Sequence, residues 1–112
     1  MTDRQRLSNR RACETLSFVA NGLAYVLTYS RFADSNRVAE IFLQNHKPGS
    51  QSDANARDAA VAASLALQYG CPLSVLRGAV LRDSQGRPST PLGCAIDLIM
   101  DAHHQEVGDG KT

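Results

Sequence analysis

The residues of this chain that are best suited to chemistry are cationic, and several fall close to its start. Four arginines lie within the first eleven residues, with Asp3 as the only acid among them: Arg4, Arg6, Arg10 and Arg11. Guanidinium groups bind phosphates and carboxylates, and each phosphate neutralised in a nucleic acid adds salt-dependent affinity. Residues 1–14 are therefore predicted to form a basic arm, extended or mobile, that either binds an anionic partner or is simply solvated, and the net charge of the whole chain is only +1.

A second candidate site lies in a polar connector. Asn45, His46 and Lys47 follow the third predicted strand, and a helix predicted to begin near Asp53 directs its free backbone amides towards the same region. The amides and the lysine would both donate to an anion, whereas the alternative is that the connector only makes a turn. His46 has no nucleophile beside it in the sequence, so no catalytic role is assigned to it.

The third candidate is the loop that carries Arg82 and Arg87 into a helix opening at Thr90. A basic loop before a helix N-terminus can hold an anion. It lacks the Gly-Lys-Ser/Thr of a Walker A loop, and a simply capped connection between two helices is the alternative.

Metal and redox chemistry have little support in the sequence. Cys13, Cys71 and Cys94 are odd in number, far apart and without a Cys-x-x-Cys pair, which argues against a disulfide framework and a zinc site. His103 and His104 are adjacent, so on a helix they point about 100° apart and cannot share a metal. We therefore expect no catalytic residue, no cofactor and no metal.

The clearest structural pattern is the stretch from Leu16 to Leu27, in which two apolar runs are joined by Asn21-Gly22. An Asn-Gly connection favours a type I′ hairpin because both central residues must adopt positive φ. The first strand is predicted to begin at Thr15. The predicted pairs are Ala20 with Leu23, Phe18 with Tyr25 and Leu16 with Leu27.

A third strand is predicted over 37–43, where Ala39, Ile41 and Leu43 alternate with other residues. Placing these three side chains on the apolar face of the hairpin requires an odd-length loop with a bulge, since a one-residue slip reverses every side chain. The same register keeps Glu40 out of the core.

Three helices are predicted after the strands. The first is capped by Ser52 or Asp53 and ends at Tyr69, and its apolar stretch 59–67 predicts a helix buried almost all round, with Leu65 in the core. The second is predicted over 72–82, and the third opens with Thr90 as N-cap and Pro91 at its first position.

These elements give an α+β fold: a three-stranded antiparallel β-meander followed by three α-helices packed on one face. One domain is predicted over 15–102, with a flexible tail at 103–112. The meander leaves two exposed edges and a partly apolar second face, which favours a homodimer. No apolar run can span a bilayer and no secretory signal is visible, so a cytoplasmic protein without membrane contact is expected.

The order of these elements resembles the TSCPD domain. The resemblance covers 15–100 and depends on these features: the three strands, the Gly49-Ser50 loop, the Ala-rich helix ending in Leu67-Gln68-Tyr69-Gly70, the Pro72-Leu73-x-x-Leu76 helix, and Ala95-Ile96 in the last helix. The Thr-Ser-Cys-Pro-Asp-Ala-Ile signature of that family is replaced here by Thr90-Pro-Leu-Gly-Cys-Ala-Ile96, with Leu92 at the cysteine position.

The TSCPD domain occurs in the C-terminal region of many ribonucleotide reductases and in small stand-alone proteins. The resemblance implies a non-catalytic binding or regulatory module, similar to a detached reductase accessory domain, that recognises a partner protein or an anionic ligand. Two alternatives stay open: a nucleic-acid-binding protein that uses the arginine-rich arm, and a small inhibitor of the phage or mobile-element type that acts by covering a surface.

Overall fold

The computed structural model describes residues 3–9 and 11–109, and it describes side chains up to residue 102. Its elements confirm the predicted α+β order. The strands are β1 (Cys13–Ala20), β2 (Leu23–Arg31) and β3 (Val38–Asn45), and the helices are α1 (Gln51–Gln68), α2 (Leu73–Ala79) and α3 (Pro91–Asp109). Within the described residues no helix is long and apolar enough to cross a membrane.

The hairpin forms in the predicted register. Asn21 and Gly22 have φ values of 53° and 78°, as a type I′ turn requires. The observed pairs include Ala20 with Leu23, Phe18 with Tyr25 and Leu16 with Leu27. The strand order is β1-β2-β3, and every pair is antiparallel.

The predicted bulge is also present, between Ser30 and Arg31 of β2. The shift leaves Ala39 of β3 without a partner on β2, and Ala39, Ile41 and Leu43 are all buried. Glu40 lies on the other face of the sheet, as the register requires, yet it is only 5% exposed. It is buried there because the segment before β1 folds over this face.

Helix α1 runs along β3 and bonds to its outer edge. Ser64 Oγ accepts from the Ile41 N–H at 2.9 Å and donates to the Ile41 carbonyl at 3.0 Å. Gln68 Nε2 donates to the Ala39 carbonyl at 3.2 Å. One edge of the sheet is therefore covered, whereas the sequence predicted two exposed edges.

Two expectations for α1 were wrong. Its N-cap is Ser50, whose side chain accepts from the Asp53 N–H, because Ser52 already lies inside the first turn. Leu65 is 40% exposed, and the buried positions of the helix are polar or small, with the exception of Leu67. The outward backbone groups of β3 need hydrogen-bond partners, so polar side chains of α1 face the sheet and some apolar ones face outwards.

The remaining helices complete the core. Thr90 caps α3 as predicted, with its Oγ1 accepting from the Gly93 N–H at 3.1 Å. Ala95, Ile96 and Ile99 of α3 are buried against the sheet cluster. Helix α2 is shorter than predicted, and α3 extends to Asp109, past residue 103 where the sequence predicted that the tail begins.

Candidate functional site

Of the two predicted forms of the arm, extended or mobile, its described residues show an extended segment that is hydrogen-bonded to the domain. The Gln5 N–H donates to the Gln68 carbonyl at 2.7 Å, and Arg4 Nε donates to Gln68 Oε1 at 2.6 Å. Cys13 and Glu14 belong to β1. Arg6 is exposed, and Arg10 lies outside the described residues.

Arg11 lies against the open face of the sheet, the face that the helices leave uncovered. Its Nε donates to Glu40 Oε1 at 2.5 Å and its Nη2 to Glu40 Oε2 at 3.2 Å. Ser30 Oγ donates to the same carboxylate at 2.7 Å. The hydrogen bond to Glu40 raises the pKa of Arg11. Arg11 and Glu40 therefore form a bidentate ion pair, and its role is structural because it holds the arm against β3.

A groove of about 640 Å³ lies between the arm and the loop after β2. Three arginines line it, Arg6, Arg31 and the Arg11 that pairs with Glu40, and so do two acids, Glu14 and Asp34. Tyr29, also in its wall, donates its hydroxyl to Glu14 at 2.6 Å, and burial together with this hydrogen bond raises the pKa of Tyr29 to about 12. The groove has mixed charge, a feature that the sequence did not predict.

The connector residues are engaged in the turn itself. Asn45 Oδ1 accepts from the Lys47 N–H at 2.9 Å, and Asn45 Nδ2 donates to Ser52 Oγ at 3.0 Å. Asp53 Oδ1 accepts from the Asn45 N–H, and this backbone hydrogen bond lowers the pKa of Asp53. A carboxylate of the chain thus lies at the start of α1, while His46 and Lys47 are exposed.

Arg82 joins α3 to the loop after α2. Its Nη2 and Nη1 donate to the Asp97 carboxylate at 2.7 and 3.1 Å, and Arg77 contacts the same carboxylate at 3.0 Å. The hydrogen bond from Arg82 lowers the pKa of Asp97. Arg87 is exposed and pairs with Asp83 at 3.4 Å. The structure therefore separates the two loop arginines, and Arg82 ties elements together.

The cysteines are dispersed, as their spacing predicts. Cys13 is exposed, while Cys71 and Cys94 are partly buried, and all three are free. Burial raises the pKa of the Cys94 thiol. Among the described side chains, no group of three or more His, Cys, Asp or Glu residues could hold a metal ion.

The open face carries an apolar surface, as the predicted partly apolar second face implies, but it includes side chains that the sequence did not assign to it. We call it the apolar patch and define it by Val26, Phe42 and Val61, which line one depression of about 360 Å³. Phe42 is 49% exposed and Val61 53% exposed. Arg57 stands at its rim. The signal in the sequence was the stretch 59–67, whose apolar residues exceed what one buried face of a helix can hold.

Two curated proteins are similar to part of this chain, and both are vitamin B12-dependent ribonucleotide reductases. The protein from Agrobacterium fabrum is 39% identical over 71 residues, and the protein from Bradyrhizobium diazoefficiens is 36% identical over 73 residues. These matches cover 63% and 65% of this chain but only 6% of the length of each reductase. No family model and no solved structure matches the chain. The chain is thus related to a small portion of these ribonucleotide reductases.

Proposed function

We propose that this protein is a non-catalytic binding module, a detached relative of the reductase accessory domain of the TSCPD type, and that it recognises a partner protein. The similarity to a small portion of two much larger reductases supports a detached domain. The order of the elements, three strands followed by three helices, is the order on which the TSCPD resemblance depends, and it also supports the proposal of a detached domain.

The observation that carries the proposal is the apolar patch. Two large side chains on different elements, Phe42 of β3 and Val61 of α1, are each about half exposed at one depression. Contiguous exposed apolar residues with a charged rim are typical of protein interaction sites. Arg57 supplies that rim, although its Nε also donates to Asp53 at 2.8 Å.

The charged groups outside the patch support a binding role rather than catalysis. Arg11 with Glu40, and Arg82 with Asp97, each join segments that are distant in the sequence. A catalytic acid or base has to exchange protons with a substrate, whereas these groups hold elements together.

An anionic ligand in the groove beside the arm is the second reading, because Arg6 and Arg31 both line it. The acids Glu14 and Asp34 in the same wall offset their charge. We therefore favour a protein partner at the apolar patch.

The test compares two valine substitutions of equal chemistry. Val61→Asp changes the apolar patch, and Val75→Asp is the matched control on α2, where Val75 is 56% exposed. The parent and both variants are immobilised and incubated with a cell extract. As a defined probe, they are also incubated with a purified vitamin B12-dependent ribonucleotide reductase. We expect the parent and Val75→Asp to retain a protein, and we expect Val61→Asp to lose it. A parent that retains nothing, or equal retention by all three proteins, would contradict the proposal.

A further inference from the structure

The two edges of the sheet are in different states. On β3, the outward backbone groups of Ala39, Ile41 and Asn45 bond to side chains of α1. On β1, no comparable cover is present among the residues that the structure describes. The contrast matters because an uncovered edge presents a row of unpaired N–H and C=O groups to any strand that can reach it.

The hairpin geometry determines which groups of β1 face outwards. In a two-residue hairpin the pair that flanks the turn, here Ala20 and Leu23, exchanges both backbone hydrogen bonds, and every second residue from it also bonds to β2. The alternate residues direct their backbone groups away from β2. They are Cys13, Thr15, Ser17 and Val19, and none of their outward backbone groups has a hydrogen-bond partner among the described residues.

We propose that β1 of a second copy pairs with this edge in an antiparallel arrangement, which gives a continuous six-stranded sheet with its two-fold axis at Leu16. This register pairs all four outward residues of each strand. Thr15 then lies opposite Ser17 of the partner subunit, and Cys13 lies opposite Val19 of the partner subunit.

This register brings no like charges together. Glu14 is the only charged residue of β1, and its carboxylate accepts from the Tyr29 hydroxyl at 2.6 Å. The two-fold axis at Leu16 places Glu14 opposite Phe18 of the partner subunit, so no like charges face each other across the junction. A second copy meets two requirements at once, since it pairs every outward residue of the strand and places no like charges opposite each other, which is why we assign the edge to a second copy.

The apolar face of the sheet also continues across the junction. Leu16 and Phe18 are only partly buried at this edge of the core, and the pairing places Leu16 against Leu16 of the partner subunit. Because a single pair of strands buries less area than a standard interface of about 1,600 Å², we expect reversible, concentration-dependent association.

Sedimentation velocity over a range of micromolar concentrations measures this association. We expect the mass of the parent to rise from one copy towards two. Thr15→Lys combined with Ser17→Lys places like charges opposite each other twice, and should weaken the dimer at least about tenfold. The matched control is Ala54→Lys combined with Ala62→Lys, two exposed positions of α1 that add the same charge away from β1.

A charge-swapped variant tests the register. Thr15→Glu combined with Ser17→Lys places opposite charges across the same junction, so it should restore the dimer and make it sensitive to salt. Ser17→Pro provides an independent check, since it removes an outward N–H that β2 does not use and should leave a folded monomer.

Amide hydrogen exchange on the parent does not require any variant to fold. Protection of the Thr15, Ser17 and Val19 amides should increase with protein concentration. A parent that stays monomeric, or a dimer that the paired lysines and Ser17→Pro leave unchanged, would overturn the proposal. Because these measurements use the purified protein alone, their outcome is separate from that of the partner-capture experiment.

Discussion

The open face of the sheet has two halves that are built from the same strands and differ in what covers them. In one half, Ser30 and Glu40 are buried under Arg11 of the arm. In the other, the apolar patch formed by Val26, Phe42 and Val61 is exposed to solvent. A buried carboxylate must find a partner within the chain, whereas an exposed apolar side chain costs little until a partner arrives. The arm thus covers the charged half of this face and leaves the apolar half open to solvent.

Removing Arg11 is the strongest way to disrupt the covered half. Arg11→Ala leaves the Glu40 carboxylate in a site where its side chain is 6% exposed, and should lower the free energy of unfolding by about 3 kcal/mol. Denaturant unfolding measures the loss, and Arg6→Ala, at an exposed position of the same arm, is the control with an expected change below about 0.5 kcal/mol. Equal effects of the two variants would show that Arg11 does not fasten the arm.

On the core face of the sheet, beneath the covered half, Tyr29 should make the stability of the fold fall at high pH. The pKa of Tyr29 is raised from 10.0 to about 12, so the neutral phenol is the form that the fold favours. Its contribution is complete below pH 10 and is lost as the pH rises towards 12. We expect the parent to lose about 2 kcal/mol relative to Tyr29→Phe over that interval, measured by unfolding at a series of pH values. Parallel pH profiles of the two proteins would contradict this.

The orientation of α1, which leaves Val61 outside, should depend on Ser64. Ser64→Ala leaves the outward N–H and carbonyl of Ile41 without a partner in a buried site, and should cost about 1 to 3 kcal/mol. Ser64→Thr, which keeps a hydroxyl, is the comparison, and thermal unfolding is the measurement. If the alanine variant were as stable as the parent, the cover on the β3 edge would not be what orients the helix.

The uncovered half should tolerate change best. Phe42→Ala should lower the free energy of unfolding by less than about 1 kcal/mol, since the ring is already 49% exposed. Ile41→Ala, its fully buried neighbour in the chain, should cost about 3 kcal/mol. A large loss for Phe42→Ala would mean that the apolar patch belongs to the core of the monomer.

The sequence predicts the parts of the molecule whose physics is local. The Asn21-Gly22 turn, the bulge in the pairing of β2 with β3 and the Thr90 cap each depend on a few neighbouring residues, and all three are present. The prediction that Leu65 lies in the core was wrong, because hydrophobic periodicity does not show that the outward backbone groups of β3 need hydrogen bonds from polar side chains of α1. The burial of Glu40 was missed because its partner, Arg11, lies 29 positions earlier in the chain.

The same limit applied to the candidate site. Arg82 read as an exposed loop cation because Asp97 lies 15 positions later, beyond a turn. The sequence predicted a partly apolar second face but not the contribution of Phe42 and Val61, because the patch joins three elements whose residues are adjacent only once the sheet and α1 have packed. A binding role stays a prediction for all of the candidate residues: Arg4, Arg6, Arg10, Arg11, Asn45, His46, Lys47, Arg82 and Arg87.

The hydrogen bond between the Gln5 N–H and the Gln68 carbonyl affects the order in which parts of the chain fold during synthesis. The segment before β1 is made before its docking site, which is complete only when the end of α1 has been translated and folded. Contacts of such long sequence separation form late, because the intervening loop must close first. The residues of this segment that a ribosome releases first are thus among the last to reach their final position.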